Sequence, residues 1–436
     1  MIHFYKNILG VKYWFKVFTT ASILIFSYEA LSQEKSLELT QAYELAEAKY
    51  PTSANKDLID SIYSLNTKLL NKERLPEITA NAQGQVQTEN LTLGVDSPDS
   101  PIFFELPLES YKTYLDANFF IYDGGLVSSK RRVQESSLQV NQQSLKVTLR
   151  NLKDRVNKAY FMVLLAQQQQ QLLSTSLNNL KTTISEVQAK YSSGIVLESE
   201  LTKLMVRELE LLSDYDQLSG DLKAYLSVLE ELVGVSISEA TTLITPKVST
   251  DIFMEIERPE AQLFNYQMEA LEAQKSIVSA LRMPKVGLFA QGGVGYPNPV
   301  NFAAIETATY ALGGVRINWE VYDWGKVKKE KEILELEKQQ LEAQKHAFKF
   351  DIESRKAEFI ERIRATEKLL ENDKEIVGLQ QSILKQSDVQ LANGVINSND
   401  YLLQVNAALQ AEQKYEFHKV QLEQLKIEYL TLIGKL

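Results

Sequence analysis

Residues 145–194 read LKVTLRNLKDRVNKAYFMVLLAQQQQQLLSTSLNNLKTTISEVQAKYSSG, with apolar side chains recurring at alternating intervals of four and three. One register passes through Leu145, Leu149, Leu152, Val156, Ala159, Val163, Ala166, Gln170, Leu173, Leu177, Leu180, Ile184, Val187 and Tyr191. Only Gln170 among these is polar, and no proline or interior glycine interrupts the run from Gly125 to Gly194. Such spacing is a coiled-coil seam, and at ~1.5 Å per residue the helix would be on the order of 100 Å long. The tract Gln167 to Gln171 sits within it as a hydrated or lumen-facing stretch.

A second helix of the same kind is expected from Gly325 to Gly394, its looser seam carried by Ile363, Leu370, Val377, Leu384 and Leu391. After each terminal glycine a return helix begins, Leu201 to Val233 and Tyr401 to the C-terminus. Each long helix is preceded by Tyr-Asp-x-Gly, at Tyr122, Asp123 and Gly125 and again at Tyr322, Asp323 and Gly325, 200 residues apart. Gly194 and Gly394 are also 200 apart, whereas Pro51 and Pro259, like Pro76 and Pro284, are 208 apart. Two constant offsets on either side of one segment describe a tandem duplication with a single loop indel. The expected organisation is a first repeat over 33–235, a linker over 236–257 and a second repeat over 258–436.

Within each repeat a helix is followed by two strands before the long helix. Leu39 to Lys72 has helical periodicity, with Leu58, Ile62, Leu65 and Leu69 among its apolar positions. After Pro76 the period becomes two: Ile78, Ala80, Ala82, Gly84 and Val86 alternate with Thr79, Asn81, Gln83, Gln85 and Gln87. A turn-rich loop precedes a strand with Leu115, Ala117, Phe119 and Ile121 on one side and Asp116 and Asn118 on the other. The second repeat alternates likewise through Val286 to Val294. It continues through Val315, Ile317, Trp319 and Val321, opposite Arg316, Asn318 and Glu320. A soluble β-sandwich alternates too. Strands near ten residues with aromatics at their ends suit a membrane barrel, and long helical hairpins growing from those strands decide for it. Four strands cannot close a barrel, and open edges do not survive in lipid. Two chains would supply eight strands around a filled interior, three would supply twelve around a lumen. Thr79, Asn81, Gln83, Gln85, Gln87, Asn118 and Asn318 are the candidate lumen residues.

Composition excludes other classes. A net charge of −10 without a basic face argues against nucleic acid. The chain has no cysteine, hence no disulfide, thiolate metal site or lipoprotein anchor. His346 and His418 lack metal-ligand spacing, and the glycines at Gly292 lie in a strand rather than a nucleotide loop. No nucleophile–base pair points to an enzyme, and no cofactor is expected. Residues 1–32 read as a secretory signal: Lys6, Lys12 and Lys16 precede an apolar core, and Ala30-Leu31-Ser32 offers a cleavage site. A retained signal anchor is the alternative.

At these residues the chain resembles the TolC-like outer-membrane efflux channels. The resemblance is carried by LELTQAYELAEAKYP at the start, RPE at the second repeat, LP and MP before the first strands and YDGG and YDWG after the second ones. The tips YSSGIVLESEL and LANGVINSNDY complete it. It implies a mainly α, α+β homotrimer: a 12-stranded barrel, four strands per chain, in outer-membrane lipid, continuing into a periplasmic α-helical coiled-coil barrel. Its partners would be a periplasmic adaptor (membrane fusion) protein and an inner-membrane RND, ABC or MFS pump, in an efflux or type I secretion system. The resemblance puts adaptor contacts at Gly194, Ile195, Val196, Glu200, Gly394, Val395 and Ile396, and a carboxylate ring at the periplasmic gate at Asp400. Glu200 and Asp400 equally suit a helix's first turn, where the dipole favours an acid. Leu403 stands where the family often has a second acid. Leu391 and Ile396 stand where an aromatic and an arginine are usual, leaving a single acidic layer as the expected gate. A periplasmic adaptor or coiled-coil scaffold is the competing class, but adaptors carry one hairpin and this chain carries two.

Overall fold

Proline, glycine and the change of period divide the chain where those signals stand. The computed structural model describes residues 36–95, 102–248, 254–301 and 304–436. The signal-peptide reading therefore lies outside the described residues, as does the centre of the loop after the first strand. The elements in order are β1 (Ser36–Leu37), α1 (Leu39–Lys49), a 3-10 turn (Pro51–Ala54), α2 (Asn55–Lys72), β2 (Glu77–Val86), β3 (Thr92–Val95), β4 (Ile102–Glu105) and β5 (Glu109–Tyr122). There follow α3 (Leu126–Ser192), α4 (Glu198–Val233), β6 (Thr242–Leu243), α5 (Pro259–Leu281), β7 (Lys285–Tyr296), β8 (Ala308–Asn318), α6 (Lys326–Ala392) and α7 (Ser398–Ile433).

Two expectations change. The single helix over Leu39–Lys72 is two helices, because Pro51 lacks an amide proton and its ring disfavours helical geometry at Tyr50, which is extended at ψ 123. The second strand of the second repeat stops at Asn318, so Trp319 and Val321 lie beyond it. Its last partner within the chain is Lys285, and nothing among the described residues continues the ladder.

The duplication extends to element length. Both long helices have 67 residues and both return helices 36, each second member beginning 200 positions after the first. The hairpins repeat as well: Glu77 pairs with Asn118 and Val86 with Glu109, as Lys285 pairs with Asn318 and Val294 with Thr309.

Two compact units are present, each built from parts of both repeats. One contains described residues within 36–49, 153–248 and 362–428. Here the seam side chains Val156 to Val187 of α3 are buried apart from half-buried Gln170 and Ile184. Beyond Ile363 the α6 seam alternates with Thr366, Asp373, Gln380 and Ser387, so it is half polar and more loosely packed. Asp373 is held by His418 Nδ1 of α7 at 2.5 Å. Parallel β1 and β6 close the other end, where the Tyr160 hydroxyl faces the carbonyls of Leu37 and Ile244 at 2.8 and 2.7 Å. β6 is the short strand of the expected linker.

The other unit draws on 50–152, 254–361 and 429–436. It holds an antiparallel sheet in the order β2-β5-β7-β8, with β3 and β4 forming a separate hairpin. Among the described residues no helix is long and apolar enough to cross a membrane.

Candidate channel-forming sheet and helical tip

Side chains two apart on a strand share a face, so the register assigns every sheet residue to one side. Thr79, Asn81, Gln83 and Gln85 fall on the same face as Asn118 and Asn318, with Ser110, Lys112, Tyr114, Asp116, Gln291 and Arg316. Gln87 stands one residue past β2, its N–H bonded to the carbonyl of Leu108. The seven lumen candidates are thus brought together. The opposite face carries Ile78, Ala80, Leu115, Ala117, Phe119, Leu288, Ala290, Val294, Val315 and Ile317, and Glu109 at its far end is the sole charge among its paired positions.

Coverage is reversed relative to a soluble sheet. Along β5 the polar-face residues from Ser110 to Asn118 are half-buried, while Tyr111, Thr113 and Leu115 between them are exposed. Leu115 is 58% exposed and Ile317 69%. A contiguous exposed apolar surface of this kind marks contact with lipid or another protein.

On the polar face, two glycines stand where a side chain would collide with the neighbouring strand. An added Cβ on Gly293 would meet the Thr113 carbonyl and, at 2.6 Å, the Tyr114 Cβ, and the Phe289 ring lies against Gly314. The Arg316 guanidinium stands 4.8 Å from the Phe289 centroid and Lys112 Nζ 5.2 Å from that of Tyr114. These pairs escaped the sequence reading, because cross-strand neighbours are set by register.

The Tyr-Asp-x-Gly phrase is a strand-to-helix junction. Asp123 accepts from the N–H groups of Gly125 at 2.9 Å and Val127 at 2.7 Å, capping α3. Asp323 does the same for Gly325 and Val327 at 3.1 and 3.0 Å, capping α6. The Val327 amide is the main reason the Asp323 carboxyl sits below its ordinary value. Both x positions are left-handed: Gly124 at φ 71 and, unusually, Trp324 at φ 53. Tyr122 and Tyr322 are exposed at the same level of the phrase.

In the helical unit, Gly194 and Gly394 adopt φ 72 and 73 and end α3 and α6. The N–H groups of Ile195 and Val395 reach back to the carbonyls of Lys190 and Gln390, the glycine stop of a Schellman turn. The two apolar residues after each glycine separate. Ile195 and Val395 are exposed, whereas Val196 and Ile396 pack on the core formed by Leu173, Leu177, Leu180, Leu204, Leu211, Tyr401 and Val405. Leu391, half-buried, packs against it too, and Leu403 is exposed. Burial pushes the Tyr401 hydroxyl up to about 12.

Glu200 does not face solvent freely: its carboxylate accepts the Ser398 N–H at 2.7 Å and pairs with Lys203 at 2.9 Å. Lys190 Nζ meanwhile donates to the carbonyls of Leu391 at 3.2 Å and Ala392 at 2.6 Å. The first hairpin thus holds the second tip from both sides, a cation at the C-terminus of α6 and an anion at the N-terminus of α7, as helix dipoles favour. Asn397 completes the α7 cap through the N–H groups of Asn399 and Asp400, while the Asp400 side chain is exposed. Lys190 and Ser398 were missed because a last-turn lysine announces a helix end but not which helix it serves.

Lys203, followed by the Ser398 amide, depresses the Glu200 carboxyl below its ordinary 4.5. Its stabilising contribution is therefore complete above 4.5 and lost as pH falls through the lower folded value. Amide protection factors at the start of α7, corrected for the intrinsic pH dependence of exchange, are expected to fall on acidification below pH 4.5 in the native chain. In Glu200→Gln that loss of protection should largely vanish. An identical pH response in the variant would remove Glu200 from this role.

A sheet apolar on its uncovered face and joined through capped turns to long helical hairpins is the fold of an outer-membrane channel. Residues 64–229 match the family described as Outer membrane efflux protein, and the fold matches those of solved outer-membrane channels. Those channels are transport conduits rather than enzymes. Among solved structures, the VceC outer membrane protein of Vibrio cholerae aligns with TM-score 0.67 at 13% identity, over 91% of this chain and 96% of that one. The Campylobacter jejuni CmeC outer membrane channel aligns with TM-score 0.66 at 12% identity, over 91% and 85%. The open-state MtrE outer membrane channel of Neisseria gonorrhoeae gives 0.62 at 16%, over 91% and 89%. No curated protein matches the chain.

Proposed function

We propose that this protein is the outer-membrane exit duct of an efflux or type I secretion system: a homotrimer whose sheets close one barrel around a polar lumen. The observation that carries the proposal is the reversed coverage along β5, where the polar side chains are half-buried and Tyr111, Thr113 and Leu115 are open, on a sheet whose opposite face is apolar and exposed. The family match over 64–229 supports an efflux duct. A periplasmic adaptor would contact the tips through the outward Ile195 and Val395, and an inner-membrane pump would supply energy. Val196, Ile396 and Glu200, engaged within the chain, would position that surface rather than form it. The exposed Asp400 would supply the single acidic layer of the gate, three carboxylates in a trimer. A periplasmic adaptor or scaffold role is disfavoured by the two hairpins and by the apolar sheet face, which such a protein would have to cover.

The test is direct. Outer-membrane fractions should contain heat-modifiable trimers that conduct in planar bilayers, and Asp400→Asn should weaken block by multivalent cations about tenfold. A soluble or inner-membrane monomer would overturn the duct. A conducting trimer with unchanged block would overturn the Asp400 gate alone.

A further inference from the structure

A cation stands beside an aromatic ring at two places on the polar face of the sheet. Arg316 of β8 holds its guanidinium 4.8 Å from the centroid of Phe289 on β7, and Lys112 of β5 holds Nζ 5.2 Å from that of Tyr114. A cation is drawn to the electron-rich face of a ring, which keeps the charge in place without neutralising it. Resting on the reading of this face as a lumen lining, we propose that these two sites make the duct a conduit for organic anions. The anionic group of the cargo meets the cation, and its apolar part meets the ring.

The charge on this face runs against that of the whole chain. Its paired positions carry Lys112, Lys285 and Arg316 against Glu77 and Asp116, so three cations less two acids leave +1, whereas the chain carries −10. Register also keeps the acids away from the two cation–ring pairs. Glu77 on β2 is three strands from Arg316, ~14 Å across the sheet. Asp116 lies four residues along β5 from Lys112, ~13 Å, and its carboxylate accepts the side-chain amide of Asn118.

The rings are seated where glycine leaves room, since an added Cβ on Gly314 would stand 3.0 Å from Phe289 Cε1. Phe289 and Tyr114 are half-buried, while Arg316 is exposed, so the guanidinium is presented on the polar side with the ring beneath it. A guanidinium resting on a ring still offers its outer face to a flat ligand and its N–H fork to a carboxylate or sulfonate. Repeated in three copies around a lumen, such cations favour anions over cations. This preference is separate from the acidic layer at Asp400, which belongs to the other unit.

The test uses the full-length protein conducting in planar bilayers, with naphthalene trisulfonate, a flat trivalent anion, added from each side in turn. It should block the native channel at least about tenfold more strongly than a variant carrying both Arg316→Gln and Lys112→Gln. Trimetaphosphate, of equal charge but without a ring, should block the native channel at least about threefold less well. In the native protein, with no substitution, the block should weaken about tenfold between about 0.1 and 1 M KCl as the screening length contracts. No block, block equal in native and variant channels, or block that ignores salt overturns the anion sites and leaves the duct standing. Equal block by the two anions overturns the organic cargo. A protein that forms no conducting channel overturns the duct itself.

Discussion

Gly124→Ala is expected to destabilise the sheet-bearing unit by about 3 kcal/mol, whereas Trp324→Gly at the equivalent position should change stability by no more than about 1 kcal/mol. Both positions are left-handed, so a side chain at either carries a backbone cost of ~1–2 kcal/mol. Their surroundings differ. A Cβ on Gly124 would meet Met283 Cβ at 2.8 Å and the Ala280 carbonyl at 3.0 Å, both anchored at the end of α5. Trp324 is 88% exposed and its ring stands edge-on to Tyr322, with centroids 4.9 Å apart. Its removal relieves the backbone but loses an aromatic pair worth about 1 kcal/mol, so the two nearly offset. Urea midpoints of the reconstituted protein measure both, and equal losses would contradict the packing at Gly124.

Leu204→Ala is expected to loosen the tip by about 3 kcal/mol, within the usual range for a buried leucine. Leu204 is fully buried on α4 in the cluster shared with α3 and with Tyr401 and Val405 of α7. The half-polar α6 seam leaves little else to hold the second hairpin there, so the cavity should be felt as faster amide exchange in α7. Leu209 on the same helix is exposed, and Leu209→Ala should stay within about 0.5 kcal/mol. Similar exchange in the two variants would mean that this cluster does not hold the tip.

Much of the fold was legible because its signals are local. A heptad needs only its own residues to declare a helix, and Leu152 to Val187 are buried largely as that pattern requires. The two 67-residue helices begin and end beside the glycines that marked them, because a left-handed stop is a one-residue property. The tip was less legible. Glu200, Lys190 and Ser398 act between hairpins, and Val196 turns inward while Ile195, its equally apolar neighbour, turns out.

The sequence by itself determined the periodic elements, their duplication and the turn chemistry of Tyr-Asp-x-Gly, since each depends on residues within a few positions of one another. Only the tertiary structure decided which strands are neighbours, which sheet face is left open, that α2 presents its apolar stripe outward, and that the first hairpin clamps the second. Those outcomes depend on pairings across roughly 200 residues, where register and competing surfaces, rather than local preference, select the contact.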